Sequence, residues 1–304
     1  MALSRRAPKG WLDLVLSTTR GRARFGLLGP RRRDKGDDPA PRVFTVNDYL
    51  YPHTWERERH RLVTLERLWD PGTIVALERC GIKRGCCCLE AGAGSGSIAR
   101  WLALRVAPDG FVVATDVDIR NLDPGGHPNL EVRRHDITSD ELPADAFDLV
   151  HARLLLKHLP DRKRAIVNMV GGLRSGGWLV AEDTDWSSAG VDPPQAAFAE
   201  ALTALRKLTE ATGAVPDYGR ALPEDLAAAG LTELGSSRVS HHLRCGTPEV
   251  EFFRLTFEQV RERVVAEGLI ASRRLDAALE ALDTPGSMAT SFTMVTAWGC
   301  KAGP

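Results

Sequence analysis

Leu89-Glu90-Ala91-Gly92-Ala93-Gly94-Ser95-Gly96 follows the run Cys86-Cys87-Cys88 and precedes Ile98, Trp101, Leu102 and Val106, which recur at helical spacing. The stretch reads as a short apolar strand, residues 86–90, ending in an acid, then a glycine turn and a helix. Glycines at the end of a first strand let backbone approach a ligand closely, and the following helix offers its N-terminus. Gly94-x-Gly96-x-x-Ala99 also satisfies a permissive dinucleotide pattern, so a nicotinamide oxidoreductase is one reading of this turn alone.

Working outward, the alternation continues. Phe111-Val112-Val113-Ala114-Thr115 is a buried-type strand ending at Asp116, and Leu130-Glu131-Val132-Arg133 leads to Asp136-Ile137. Phe147-Asp148-Leu149-Val150 is a fourth strand, and a helix carrying Leu154 to His158 is expected beyond it. Asp161 caps a further helix with Ile166, Val170 and Leu173 on one stripe. Gly176-Gly177 turns into a fifth strand, Trp178-Leu179-Val180-Ala181, ending in Glu182-Asp183. Strands and helices alternating on short connections predict an α/β fold with a mainly parallel sheet covered on both faces. On the N-terminal side a helix is expected over 53–69, stopped by Asp70-Pro71-Gly72, with a short second helix reaching Gly81. On the C-terminal side come a helix near 195–211, a long strand over 233–243, two helices carrying Phe253, Phe257 and Leu275, and a last strand ending at Trp298.

Acids therefore end three successive strands: Glu90, Asp116 and Asp136. In such a topology strand C-termini line one crevice. An acid after the second strand can hold both hydroxyls of a ribose, Asp136 can accept from an exocyclic amine, and Ile137 can lie flat against a purine. So many carboxylates would repel a pyrophosphate, whereas a sulfonium bearing an ammonium group tolerates them. Leu89 to Gly96, Asp116, Asp136-Ile137, Phe147 to Arg153 and Leu173 to Trp178 together resemble, in order, the motifs of the class I S-adenosylmethionine-dependent methyltransferases, in particular the bacterial small-molecule branch. The resemblance spans roughly residues 43 to 301; the triple cysteine and the long basic N-terminus depart from the family. It implies a Rossmann-like, seven-stranded, mostly parallel sheet with helices on both faces, an antiparallel last strand and helical lid elements. It implies S-adenosyl-L-methionine as cofactor, with Glu90, Gly92, Gly94, Gly96, Asp116, Asp136, Ile137 and Arg153 as its binding residues. For Glu90 a tether within the loop, and for Arg153 a surface ion pair, are the competing readings.

Methyl transfer is an in-line displacement on an already activated carbon, so the main task is to hold a nucleophile against the methyl group and exclude water. The acceptor is expected to be a small molecule, methylated on O, N or C. A base is needed only where the acceptor is protonated. His158 with Asp183 behind it is the candidate pair, against a reading in which His158 packs helix on sheet. His151 is a weaker candidate base, because strand-end side chains also serve as cofactor contacts. Tyr51, Trp55 and Trp186, with Tyr49 and His53, are the aromatic and lid candidates for the acceptor side. A cyclisation or rearrangement on the same fold is the alternative reaction, since fold does not fix chemistry.

The remaining features bound the problem. The 304 residues carry 40 basic and 40 acidic side chains, so no basic excess marks a nucleic-acid partner. The balance is uneven: residues 1–42 are net +7 and the remainder net −7, so 1–42 reads as a solvated basic arm, 43–80 as lid helices and 81–304 as the catalytic core with insertions near 190–215 and 249–284. Six cysteines without zinc spacing predict free thiols and no metal. Ser4-Arg5-Arg6 lacks the apolar stretch of an export signal, and no apolar run is long enough to span a membrane, so a cytoplasmic protein, as a homodimer or higher oligomer, is expected.

Overall fold

The computed structural model describes residues 50, 51 and 54–303; the basic arm, Tyr49 and His53 lie outside them. Helix α1 (Glu58–Arg79) is followed by β1 (Cys87–Ala91), α2 (Ser97–Val106), β2 (Phe111–Asp116), β3 (Leu130–Arg134), β4 (Phe147–Arg153), α3 (Arg162–Gly172) and β5 (Leu173–Asp185). Then come β6 (Gly190–Asp192), α4 (Ala196–Ala211), α5 (Leu222–Ala228), β7 (Leu231–Val239), β8 (His242–Arg244), α6 (Glu251–Ala266), α7 (Ser272–Ala281), β9 (Met288–Thr290) and β10 (Thr293–Lys301). Seven strands form one sheet in the order β3-β2-β1-β4-β5-β10-β7, in which only β10 runs against its neighbours. This is the mainly parallel sheet the alternation predicts, in the Rossmann-like, seven-stranded form the resemblance implies.

All five residues of β1 are buried, as expected of a central strand with helices on both faces. The two-residue period sorts side chains by face. Leu89, Val113 and Val150 join Ile166, Met169, Leu222 and Leu226 under α3 and α5. Cys88, Val112, Leu149 and Val180 join Leu77, Ile98 and Leu102 under α1 and α2. Glu90, two residues on from Cys88, shares that second face. A third core covers the sheet's carboxyl edge, where β6, β8 and β9 form a small antiparallel sheet with α4, α6 and α7 around Phe198, Phe253, Phe257 and Phe292.

Several local expectations are corrected. α1 runs unbroken through Asp70-Pro71-Gly72. A mid-helix proline costs about 3 kcal/mol, offset here by a buried face of Leu68, Trp69, Ala76 and Leu77 and by side-chain ties on both sides of the proline, Asp70 to Arg153 (2.7 Å) and Thr73 to Glu182. No α-helix carries Leu154 to His158: Leu154 has a left-handed φ of 56°, and a single 3-10 turn, Leu156–His158, follows. The long strand over 233–243 is two strands in different sheets. No described helix is long and apolar enough to cross a membrane.

Phe253 is fully buried, edge-on to Phe198 at 5.6 Å and to Phe292 at 5.5 Å. Phe253→Ala should lower stability in urea titration by about 3–5 kcal/mol, while Val167→Ala on the exposed side of α3 should stay within about 0.5 kcal/mol.

Candidate cofactor and acceptor site

The carboxyl ends of β1 to β5 open into one cavity of about 220 Å³, lined on its other side by α1 and by Phe252 and Thr256 of α6. Its first half is the glycine turn and the strand-end acids. Gly92, Gly94 and Gly96 all have positive φ, which favours glycine at each. A β-carbon on Gly92 would press on Leu155 at 3.0 Å and one on Gly96 on Leu122 at 2.7 Å, but one on Gly94 would meet nothing within 4 Å. Gly94 lines the cavity, so its missing side chain leaves space for a ligand. Gly94 N–H donates to Asp116 Oδ2 (3.1 Å) and Asp118 N–H to Oδ1 (3.0 Å), which fixes the carboxylate at the cavity wall. Asp136 Oδ1 accepts from the Thr138 N–H (2.9 Å) and hydroxyl (2.6 Å), and Ile137 beside it is buried against the cavity. Glu90 and Arg153 line it as well. Arg153 is braced by Asp70 Oδ1 (2.7 Å) and Thr73 Oγ1 (2.9 Å), an ion pair to α1. A gap at Gly94 and carboxylates in series fit a cationic, hydroxylated nucleoside and would repel a diphosphate.

Under this half lies a cluster that needs three strands in register. Glu90 on β1 pairs with His151 on β4, and Arg153 on β4 with Glu182 on β5. His151, with no exposure, has Nδ1 2.7 Å from Glu90 Oε2 and Nε2 3.3 Å from Glu182 Oε2. Glu182 also accepts from Thr296 Oγ1 (2.6 Å) and Thr73 Oγ1. Burial pulls the His151 pKa down, but the Glu90 charge and the hydrogen bonds to both glutamates overcome it and raise the value to about 9. Burial opposes ionisation of Glu182 too, yet the bond to His151 holds it below the usual carboxylate range. His151 is thus an internal clamp, and Glu90 is the tether the sequence left open as well as a cavity residue.

The second half is aromatic. Tyr51, Trp69, Trp186, Phe252 and Phe292 line it, Trp186 stacked on Phe292 at 4.5 Å. Arg61 sits over the Tyr51 ring at 4.5 Å and makes a bidentate pair with Glu58, both bonds 2.8 Å and both residues buried. Trp55 is half-buried and outside the lining, with Arg57 6.0 Å over its ring. His158 lines the cavity, and burial, with Lys157 and Arg61 nearby, keeps its pKa well below the usual imidazole value, hence neutral. Asp183 is fully buried and does not line the cavity. Its carboxylate accepts from Lys157 N–H (2.9 Å) and Thr184 N–H (3.1 Å), so it pins the turn that carries His158 in place of the expected role as a bonded orienter. Burial raises its pKa to about 6. Lys157, Glu66, His135, Thr184 and Thr256 also line the cavity and were not singled out from the sequence. Lys157 had a signal: a charge closing the apolar run Leu154-Leu155-Leu156. Among the described residues no group of three or more His, Cys, Asp or Glu could hold a metal ion.

The His151 clamp sets a pH dependence. An unfolded histidine titrates near ~6.5, below the folded value of about 9. Its stabilisation is therefore complete below about pH 6.5, declines as pH rises toward about 9, and is absent beyond. In urea titrations the stability gap between the native chain and His151→Gln should narrow, by on the order of 3 kcal/mol, between about pH 6 and pH 10. A gap that does not change with pH would show that no imidazolium forms.

A family model described as a methyltransferase domain matches residues 89–181. Methyltransferase str2 of Strobilurus tenacellus is 36% identical over 147 residues, 46% of this chain and 51% of that protein. A ubiquinone/menaquinone biosynthesis C-methyltransferase UbiE of Pseudomonas paraeruginosa is 27% identical over 203 residues, 60% of this chain and 76% of that protein. The chain spans about half the length of the first curated relatives it matches. Among solved structures, phosphoethanolamine N-methyltransferase 2 of Haemonchus contortus in complex with S-adenosyl-L-methionine shares the fold, with TM-score 0.54, 13% identity, and coverage of 86% of this chain and 61% of that one. Residues 89–181 thus match a methyltransferase domain, the curated relatives over that region are methyltransferases, and the domain is set in a Rossmann-like sheet.

Proposed function

We propose that this protein transfers a methyl group from S-adenosylmethionine to a small organic acceptor held in the aromatic half of the cavity. One observation carries the reading: a glycine gap and three strand-end acids share a single cavity with an aromatic chamber. When bound, the cofactor supplies a methyl group activated on a sulfonium. Asp116 would hold the ribose hydroxyls, Asp136 the adenine amine and Ile137 the purine face. Gly92 and Gly94 would admit the remaining end, near Glu90 and Arg153. Tyr51, Trp69 and Trp186 keep water from the acceptor, which favours displacement by the bound nucleophile.

His158 is the group suited to take the acceptor's proton. It lines the cavity and its imidazole is neutral at neutral pH, the form that can accept a proton. Asp183 supports it indirectly, by fixing the Leu156–His158 turn. Six free thiols in the chain suit a reducing cytoplasm. The basic arm of residues 1–42 is dispensable for the chemistry in this reading.

Calorimetry decides the cofactor. S-adenosylmethionine and S-adenosylhomocysteine should bind and NAD should not, and Asp116→Ala should weaken S-adenosylhomocysteine binding by about 10–100-fold. Binding of NAD alone would overturn the reading. Methyl release to a panel of small acceptors decides the reaction: His158→Ala should lower turnover ~100-fold with cofactor affinity unchanged. Cofactor binding with acceptor conversion but no S-adenosylhomocysteine formed would favour rearrangement chemistry.

A further inference from the structure

Lys157 is a lysine only 7% exposed, in the turn between β4 and α3, and it lines the aromatic half of the cavity. Its Nζ donates to Thr184 Oγ1 at 3.1 Å. That hydroxyl is fully used: it donates to Pro216 O (3.0 Å) and its other lone pair accepts from Trp186 Nε1 (3.0 Å). Asp183 Oδ1 is 3.9 Å from Nζ, beyond hydrogen-bond reach, and is engaged by Thr184 N–H. An ammonium has three protons to donate. Among the described residues, Thr184 Oγ1 is its one hydrogen-bond acceptor.

A buried cation with unmet donors costs several kcal/mol; burial weakens the hold of Lys157 on its proton, the Asp183 charge opposes that only in part, and Arg61 adds to it. Arg61 itself is matched by Glu58. The same cavity is the proposed seat of a sulfonium, and two cations in a low-dielectric chamber repel unless an anion lies with them. The walls around Lys157, with Trp186 stacked on Phe292 and Phe252 edge-on to Phe292 at 6.2 Å, suit a planar apolar body.

We infer that Lys157 is a specificity-determining residue, whose ammonium receives an oxyanion carried by a planar acceptor: a carboxylate, phenolate or enolate. The inference rests on the reading of the cavity as a methyl-transfer site. The oxyanion has a second conceivable source, the methionyl carboxylate of the cofactor. The aromatic surroundings of Lys157, whose partner Thr184 Oγ1 also accepts from Trp186 Nε1, favour the acceptor.

The test uses 1-naphthoate as probe, with 1-naphthamide as its uncharged match in shape. Titrated into the protein saturated with S-adenosylhomocysteine, naphthoate should bind at least about tenfold tighter than naphthamide. In Lys157→Met and in Lys157→Gln, which can keep a bond to Thr184 without the charge, that preference should fall within about threefold, with S-adenosylhomocysteine affinity and thermal midpoint near those of the unaltered chain. Equal or undetectable binding of the two probes to the unaltered protein overturns the inference. So does a preference that survives in both variants. A loss of S-adenosylhomocysteine affinity in the variants with the naphthoate preference intact assigns Lys157 to the cofactor carboxylate and also overturns it. Repeating the naphthoate arm without S-adenosylhomocysteine separates the two levels: if the cofactor product never binds but the preference stands, the methyl-transfer reading fails alone and the anion site remains.

Discussion

A protonated imidazole between two buried glutamates holds the centre of this molecule. His151 joins β1 to β5 through β4 at the level where the strands end and the cavity begins. Removing either partner would leave an unmatched charge in the apolar interior, so the three residues stand or fall together. The clamp also reaches the helix above, since Glu182 accepts from Thr73 of α1 and Thr73 accepts from Arg153. The floor of the cavity and its roof are therefore joined by one polar network.

On that floor two chemistries sit side by side. The glycine turn and the acids Asp116 and Asp136 are held by bonds to their own loops, so they need no ligand to set their geometry. The opposite half is a chamber of rings with two cations and a neutral imidazole. Methyl transfer needs little covalent help from a protein beyond alignment and dryness. The division of the cavity supplies both: a polar half that orients and an apolar half that excludes water.

Much of this was legible in the chain. The apolar strands, the glycine turn and the acids at strand ends lie within short windows, where a two-residue period and a turn residue carry their own signal. What stayed hidden depends on residues far apart in sequence. His151 is 61 residues from Glu90 and 31 from Glu182, and no local pattern declares that they share one register. Pro71 marked a break that the buried face of α1 overrides. The strands of the small sheet are three residues long, too short for any periodicity to register. Asp183 read as an active-site acid because it follows a fifth strand, but its oxygens are spent on backbone N–H groups.

The unbroken course of α1 has one more effect. Near its start Arg57 pairs with Glu251 (3.1 Å) and Glu258, and Glu58 accepts from Gln259 (2.9 Å), all on α6. Farther along, Asp70 and Thr73 fasten it to the sheet. The helix is a strut between two separate hydrophobic masses, so the spacing of the acceptor wall from the nucleoside floor is set by the length of a rigid rod, and any widening of the gap to exchange products has to bend or unfasten that rod.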